Sequence, residues 1–301
     1  MKSNAFIIMM FAIQLLSATE KSKKSNKTTL PNQNSILWEI SGNNLKAPSY
    51  LFGTIHAIPY DDFFIGKNTI KKLKACEQLV MELDLTEINE AKLTELSLLP
   101  EDKNIKDFIS DKEYNDLEEF LIEKFGMSKA IFENVYTKLK PFYVEQFILL
   151  SIIGENKKVY ENELNDLASE NNIGKIGLEK FEEQLAIIDS IPLKLQYQNL
   201  VKNLHNYDEQ ITQYNEMVQA YKKQDLNYLN EQFENNFTGD MSIYKIILLD
   251  DRNEKWIAKI EQIASKKTSF FAVGAGHLAG KNGLIKLLQN KGFTVTPIST
   301  N

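Results

Sequence analysis

The chain has 301 residues, with 35 Lys and Arg against 41 Asp and Glu, a formal net charge of −6, 43% hydrophobic and 25% charged residues. These are globular proportions, which exclude wholesale disorder, a collagen-like repeat and a polytopic membrane protein, and a mildly acidic balance argues against a nucleic-acid partner because it repels phosphate. A single cysteine, Cys76, excludes an internal disulfide and a multi-cysteine metal site, so much of the functional information rests on three histidines, His56, His205 and His277.

In chain order, Lys2, the apolar run from Ala5 to Leu16 and the small residues Ser17, Ala18 and Thr19 have the make-up of a secretory signal peptide. The run falls short of the ~20 apolar residues of a permanent spanning helix, with an uncleaved anchor as the alternative. Residues 20–34 are polar and Lys-rich, the composition of a flexible tether. The expected organisation is a signal peptide over 1–19, a tether over 20–34 and a folded unit over 35–301. That unit is expected in an extracytoplasmic compartment, periplasmic or secreted, with membrane contact only through the signal segment.

Ile36 to Ile40 and Tyr50 to Ile55 read as strands joined by a turn at Gly42-Asn43-Asn44. Asn68 to Ala75 reads as a short amphipathic helix and Gln78 to Leu85 as a buried strand. An acid-rich stretch follows in which Tyr114, Leu117, Leu121 and Phe125 recur at helical spacing, and its charges read as a solvated helical face. Pro141 starts an apolar helix from Phe142 to Ile153, Ile173 to Leu178 reads as a strand, and the next helix places Leu178, Phe181, Leu185 and Ile188 on one face. Helical patterns continue from Leu193 to about Phe237. Ser269 to Gly274 reads as a buried strand, His277 to Lys291 as a helix and Phe293 to Ile298 as a last strand, a strand–helix–strand unit that favours parallel pairing. The predicted fold class is α/β, with a mostly parallel or mixed central sheet formed by both chain ends and a helical insertion, or cap, over about 86–240.

Two of the histidines occupy equivalent positions. Gly53-Thr54-Ile55-His56 and Gly274-Ala275-Gly276-His277 each place a Gly-x-x-His directly after an apolar strand. Loops at the carboxyl ends of parallel strands form the ligand crevice of open α/β sheets, and imidazole is a good ligand for borderline divalent metals. Glu82 and Asp84 alternate onto one face of the strand between them, and Glu82 stands among apolar neighbours where an unpaired carboxylate is costly to bury. Arg252-Asn253 offers a fork-shaped cation for a carboxylate or a developing oxyanion. Glu82 is thus a metal ligand, a general base, or a structural acid paired with Arg252. His205 lies on a polar helix and reads as a surface residue, and Cys76 has no histidine beside it to make a nucleophile of it.

Residues 37–59 (LWEISGNNLKAPSYLFGTIHAIP), 79–85 (LVMELDL) and 270–298 (FFAVGAGHLAGKNGLIKLLQNKGFTVTPI), with Gly177-Leu178-Glu179, Gln184 and Arg252-Asn253, resemble the TraB/GumN family, which includes the Tiki metalloproteases. The resemblance implies a fold similar to the erythromycin-esterase and ChaN-like group. It also implies divalent-metal-dependent peptide hydrolysis carried by His56, Glu82 and His277. On this reading a Mn, Co or Zn ion sits between His56 and His277, and Glu82 is a ligand or the general base. Arg252 stabilises the oxyanion, oriented by Asn253, and the partner is a peptide or other small substrate. The rival readings are a metal-free esterase-like hydrolase with His56 as base, a protein that sequesters a peptide or small ligand without turnover, and haem capture.

Overall fold

The computed structural model describes residues 34–87, 89–236 and 242–301. The expected signal peptide and nearly all of the tether lie outside the described residues. One sheet contains β1 (Leu37–Gly42), β2 (Ser49–Thr54), β4 (Gln78–Leu83), β6 (Gly174–Glu179), β7 (Ser269–Gly274) and β8 (Phe293–Pro297), and a separate ribbon pairs β3 (Ala57–Pro59) with β5 (Lys157–Val159). The spatial order in the sheet is β6-β4-β7-β2-β1-β8. Neighbours from β6 to β2 pair in parallel, whereas β1 is antiparallel to both β2 and β8. The fold is therefore α/β around a mixed, mostly parallel sheet to which both chain ends contribute, in agreement with the sequence.

Burial explains which strands were easy to read. β2 and β7 are buried along their whole length, so both faces demand apolar side chains and the strands appear as unbroken runs. The edge strand β8 alternates instead, with Phe293 and Val295 inside and Thr294 and Thr296 outside. The β1–β2 turn places Gly42, Asn43 and Asn44 at positive φ, the region that glycine and asparagine enter at least cost.

Two expected boundaries are corrected. The helix expected from His277 begins at Leu284, and His277 instead closes a short 3-10 turn, Ala275–His277. Gly280 at φ +86 turns the chain out of a helical path between the two. Leu178, expected on the helix after β6, belongs to β6, and that helix is Phe181–Asp189.

The helical region is built on its own apolar clusters. Helix Asp111–Phe125 starts with a reciprocal cap between Ser110 and Glu113 and ends at Gly126 in the left-handed conformation. It buries Tyr114, Leu117 and Leu121 against Phe132, Val144, Tyr197 and Leu200. A second cluster, with Phe142, Leu185, Ile188, Phe233, Tyr244 and Leu248, connects these helices to the chain that leads into Arg252. No helix among the described residues is long and apolar enough to cross a membrane.

One carboxyl in this region gives a pH-dependent expectation. Burial raises Glu145 well above the ordinary carboxylate value, against the opposing hydrogen bonds of Asn199 and Asn203. A carboxyl that holds its proton more tightly when folded gives highest stability below its unfolded value, 4.5, and loses stability as pH rises beyond it. Glu145→Gln is expected to raise the thermal midpoint at pH 8 by a few degrees, the shift that ~1 kcal/mol produces at this size, and to leave it unchanged at pH 4. Equal midpoints at pH 8 in calorimetric scans of the two proteins would show that Glu145 carries no such penalty.

Candidate functional site

Four parallel strands end on the same side of the sheet, and each delivers a polar group there. β2 leads to His56, β4 carries Glu82 next to its last residue, β6 ends on Glu179, and β7 leads through Gly274 to His277. β2 and β7 are adjacent and in register, with Gly53 opposite Val273 and Thr54 opposite Gly274. Their two Gly-x-x-His motifs are therefore side by side, and each glycine makes room for the other motif. A Cβ on Gly274 would stand 2.7 Å from His56 Nε2, and one on Gly53 would stand 3.1 Å from the Cα of Ala275. The repeated glycine is thus a requirement of close approach between the two loops.

His56 has φ +55, a left-handed conformation rare in a residue with a Cβ. The chain that follows is held by β3–β5 pairing, Ala57 opposite Val159, and the His56 carbonyl accepts the Tyr160 N–H at 2.6 Å. The imidazole Nδ1 is 2.7 Å from Glu161 Oε1, which also accepts the Thr54 hydroxyl at 2.9 Å. Burial alone would lower the His56 pKa, but the charge and hydrogen bond of Glu161, helped by Glu82, carry it above the ordinary value.

His277 has neutral partners at Nδ1. Asn253 Oδ1 lies 2.7 Å from Nδ1, while Asn253 Nδ2 donates to the carbonyls of His277 at 3.2 Å and Asn282 at 2.8 Å. The amide thereby has its oxygen turned to the ring, and Nδ1–H donates to it. Arg252 Nη1 lies 3.2 Å from His277 Nε2, and because a guanidinium only donates, Nε2 is the acceptor there. Burial, reinforced by the Arg252 charge against the pull of Glu82, lowers the His277 pKa to about 3, so this ring is neutral.

Glu82 is the point on which the groups converge. Its Oε2 accepts Arg252 Nη2 at 2.6 Å, and its Oε1 accepts the Gly274 N–H at 2.8 Å. The same Oε1 stands 4.0 Å from His56 Nε2 and 3.9 Å from His277 Nε2. Burial would raise the carboxyl, but Arg252, the two histidines and the Gly274 N–H outweigh it and hold Glu82 well below the ordinary range. Arg252 also donates through Nε to both oxygens of Glu179 and through Nη1 to the Leu248 carbonyl, with its guanidinium 4.6 Å from the Trp256 ring centre. These partners differ from the expected oxyanion contact: the guanidinium is engaged by two carboxylates, a carbonyl and an imidazole inside the protein. Asn253 likewise orients His277 rather than Arg252.

The remaining residues singled out from the sequence lie elsewhere. Asp84 accepts the N–H and hydroxyl of Thr86 and closes its own turn beyond β4. His205 is a surface residue 3.7 Å from Asp116. Cys76 is buried, which pushes its thiol up to about 12. Glu161 and the Arg252 partnership of Glu179 escaped the sequence reading, Glu161 because the acid-rich stretch that holds it reads as solvated.

The donor atoms gathered here are of the types that a divalent ion takes. His56 and His277 each turn Nδ1 to an acceptor oxygen, Glu161 Oε1 and Asn253 Oδ1, which leaves Nε2 as the ring atom that faces Glu82. Both Nε2 atoms lie about 4 Å from one buried carboxylate oxygen, and imidazole with carboxylate is a donor set suited to Mn, Co or Zn. Among the described residues no three such side chains stand at ligand spacing, and His277 Nε2 is shared with Arg252.

Fold and cluster together define an α/β protein that gathers two histidines, a carboxylate and a guanidinium in a buried centre at the carboxyl ends of its parallel strands. The chain belongs to the TraB/PrgY/gumN family, whose model matches residues 36–297. It is similar to metalloprotease TIKI2 of Danio rerio, 23% identical over 317 residues that cover 87% of this chain and 60% of that protein. Metalloprotease TIKI1 of Danio rerio is 25% identical over 345 residues, covering 96% of this chain and 68% of that protein. The uncharacterized protein YbaP of Escherichia coli (strain K12) is 23% identical over 250 residues, covering 80% of this chain and 87% of that protein. The chain thus spans about three fifths of the length of the first of these relatives. No solved structure matches it, so the likeness to the erythromycin-esterase and ChaN-like group rests on the sequence resemblance alone.

Proposed function

We propose that this chain is a divalent-metal-dependent hydrolase of peptides, working outside the cytoplasm. The observation that carries the reading is the pair of imidazoles, each with an acceptor at Nδ1 and each with Nε2 about equally far from one oxygen of Glu82. His56, His277 and Glu82 would hold the ion. When bound, such an ion supplies Lewis-acid polarisation of a carbonyl and makes water a better nucleophile at neutral pH. The protein's own share is electrostatic. Arg252 offsets Glu82 and Glu179, so that the carboxylate stays ionised in a centre where His56, Glu82, Arg252 and His277 are each less than a tenth exposed. The Gly274 N–H and the Arg252 fork fix the two oxygens of Glu82, which keeps Oε1 aimed between the two rings. That the relatives TIKI1 and TIKI2 are named metalloproteases supports the choice of peptide as substrate.

A metal-free alternative draws on one observation, the His56–Glu161 contact, which has the form of a base oriented by a carboxylate. The two readings separate on chelator-stripped protein. Addition of Mn²⁺, Co²⁺ or Zn²⁺ at 100 times Kd is expected to add ~2.7 kcal/mol to stability, and cleavage of a peptide library should return with the ion. Both effects should vanish in the His56→Ala, His277→Ala double variant. Cleavage by the stripped protein would favour the metal-free reading, and ion-dependent stabilisation that survives in the double variant would remove the ion from this centre.

A further inference from the structure

We propose that Glu161 is the positioning residue that keeps the Nδ1–H of His56 in place, so that Nε2 is the atom presented to Glu82 and His277. Three features of the structure lead to it. First, Glu161 Oε1 accepts the Thr54 hydroxyl and lies 2.7 Å from His56 Nδ1, so the hydrogen of that second contact belongs to the ring. Second, Glu161 sits in the first turn of helix Tyr160–Glu170 with its Oε2 buried and unmatched by any hydrogen-bond donor. A carboxylate kept inside with one oxygen unsatisfied is costly, and it makes no side-chain cap of the helix. Third, the backbone on both sides is tied together. Val159 pairs with Ala57, the Tyr160 N–H reaches the His56 carbonyl, and His56 is held at φ +55. An energetically unfavourable backbone at a site residue, fixed by the residues that precede a buried carboxylate, is the pattern of a pre-organised contact.

The contrast with His277 gives the inference its consequence. That ring is oriented by the neutral amide of Asn253, whereas His56 is oriented by an acid. A carboxylate behind an imidazole raises the electron-donating power of its far nitrogen. His56 is therefore the stronger donor of the pair, and its strength is set from helix Tyr160–Glu170, outside the four strands that lead to or carry His56, Glu82, Glu179 and His277.

The affinity arm of the test rests on the ion reading, and the spectroscopic arm does not. The 301-residue chain labelled with ¹⁵N at histidine carries three such residues, so the His56 ring signals can be assigned. Expected for the native protein is a far-downfield Nδ1–H proton on His56 that moves upfield in Glu161→Gln, a variant of equal shape whose amide oxygen can still accept from Thr54. Calorimetric titration with Zn²⁺ should show affinity lowered 10–100-fold in Glu161→Gln and unchanged in Glu163→Gln, an acid of the same helical turn that accepts from Lys158 instead, with thermal midpoints confirming that both fold. A His56 signal in the native protein protonated only at Nε2 would overturn the proposal. So would Zn²⁺ binding in Glu161→Gln as tight as native. If the native chain binds no Zn²⁺, the ion reading fails and the Nδ1–H signal alone decides the role of Glu161.

Discussion

Arg252→Met is expected to cost about 3–5 kcal/mol of folding stability, the range for removing one partner from a buried ion pair, and to lower the thermal midpoint by roughly 10 °C. The reason is the company the guanidinium keeps. It faces Glu82 at 2.6 Å and Glu179 at 3.0 Å, and all three side chains are buried. Methionine fills most of the volume but leaves two carboxylates without their common cation, so they must protonate or draw in water. Arg252→Lys should recover less than half of the loss, because an ammonium cannot reach Glu179, Glu82, Leu248 and His277 from one planar fork. Glu179→Gln combined with Arg252→Met should cost less than the sum of the two single changes by about 0.5–3 kcal/mol, the coupling expected of residues in contact. Chemical denaturation of the native chain and the four variants measures all of these. An Arg252→Met loss below about 1 kcal/mol, the range of an exposed pair, would mean that the centre is solvated and not the buried charge cluster described.

The same cluster explains what could and could not be read from the sequence. β2 and β7 were legible because burial on both faces leaves unbroken apolar runs, and the histidines because the glycine spacing repeats after each. Glu82 was legible as a lone charge in such a run. Glu161 was not. It sits among acids whose side chains face solvent, and its partner lies 105 residues earlier in the chain, so nothing local distinguishes it. The expectation gave Asn253 an orienting part in the oxyanion contact of Arg252, yet successive helical side chains point in different directions. The structure uses that divergence: Arg252 approaches His277 at Nε2 and Asn253 at Nδ1, so one short stretch of helix grips both ring nitrogens. The late start of the last helix was masked by apolar periodicity that continues through Leu278, while the break is made by backbone conformation at Gly280.

Glu145 and Glu82 also show that a carboxyl's fate depends on what meets it after folding. Both are acids in or beside the buried interior. Burial raises Glu145, against the hydrogen bonds of two amides. Glu82 has a guanidinium and a backbone N–H and is lowered. Composition and local pattern treat them alike, and the difference comes wholly from elements that arrive from other parts of the chain.

Gly274→Ala is the substitution expected to separate the centre from the fold most cleanly. β7 is in register with β2, and a methyl at position 274 would stand 2.7 Å from His56 Nε2 and 3.5 Å from Glu82 Oε1. The first distance is one that real Cβ atoms do not show, so the imidazole must withdraw. His56 has little freedom to do so, since Nδ1 is held by Glu161 and its backbone by the Tyr160 N–H. The strain should cost about 1–3 kcal/mol, as overpacking does elsewhere, leaving a folded protein. The loss at the centre should be far larger: the methyl stands against the lone pair of His56 Nε2 and beside the Glu82 oxygen that both rings face. Zn²⁺ affinity should fall at least 100-fold, a change of about 2.7 kcal/mol, and ion-dependent peptide cleavage should disappear with it. Gly53→Ala supplies the comparison. Its methyl would press first on Leu278 and Ala275 at 3.0 and 3.1 Å, nearer than any histidine atom, so it should cost similar stability but much less affinity. Titration of both variants decides the matter: if Gly274→Ala binds Zn²⁺ as well as Gly53→Ala does, the ion does not use the space between His56, Glu82 and His277.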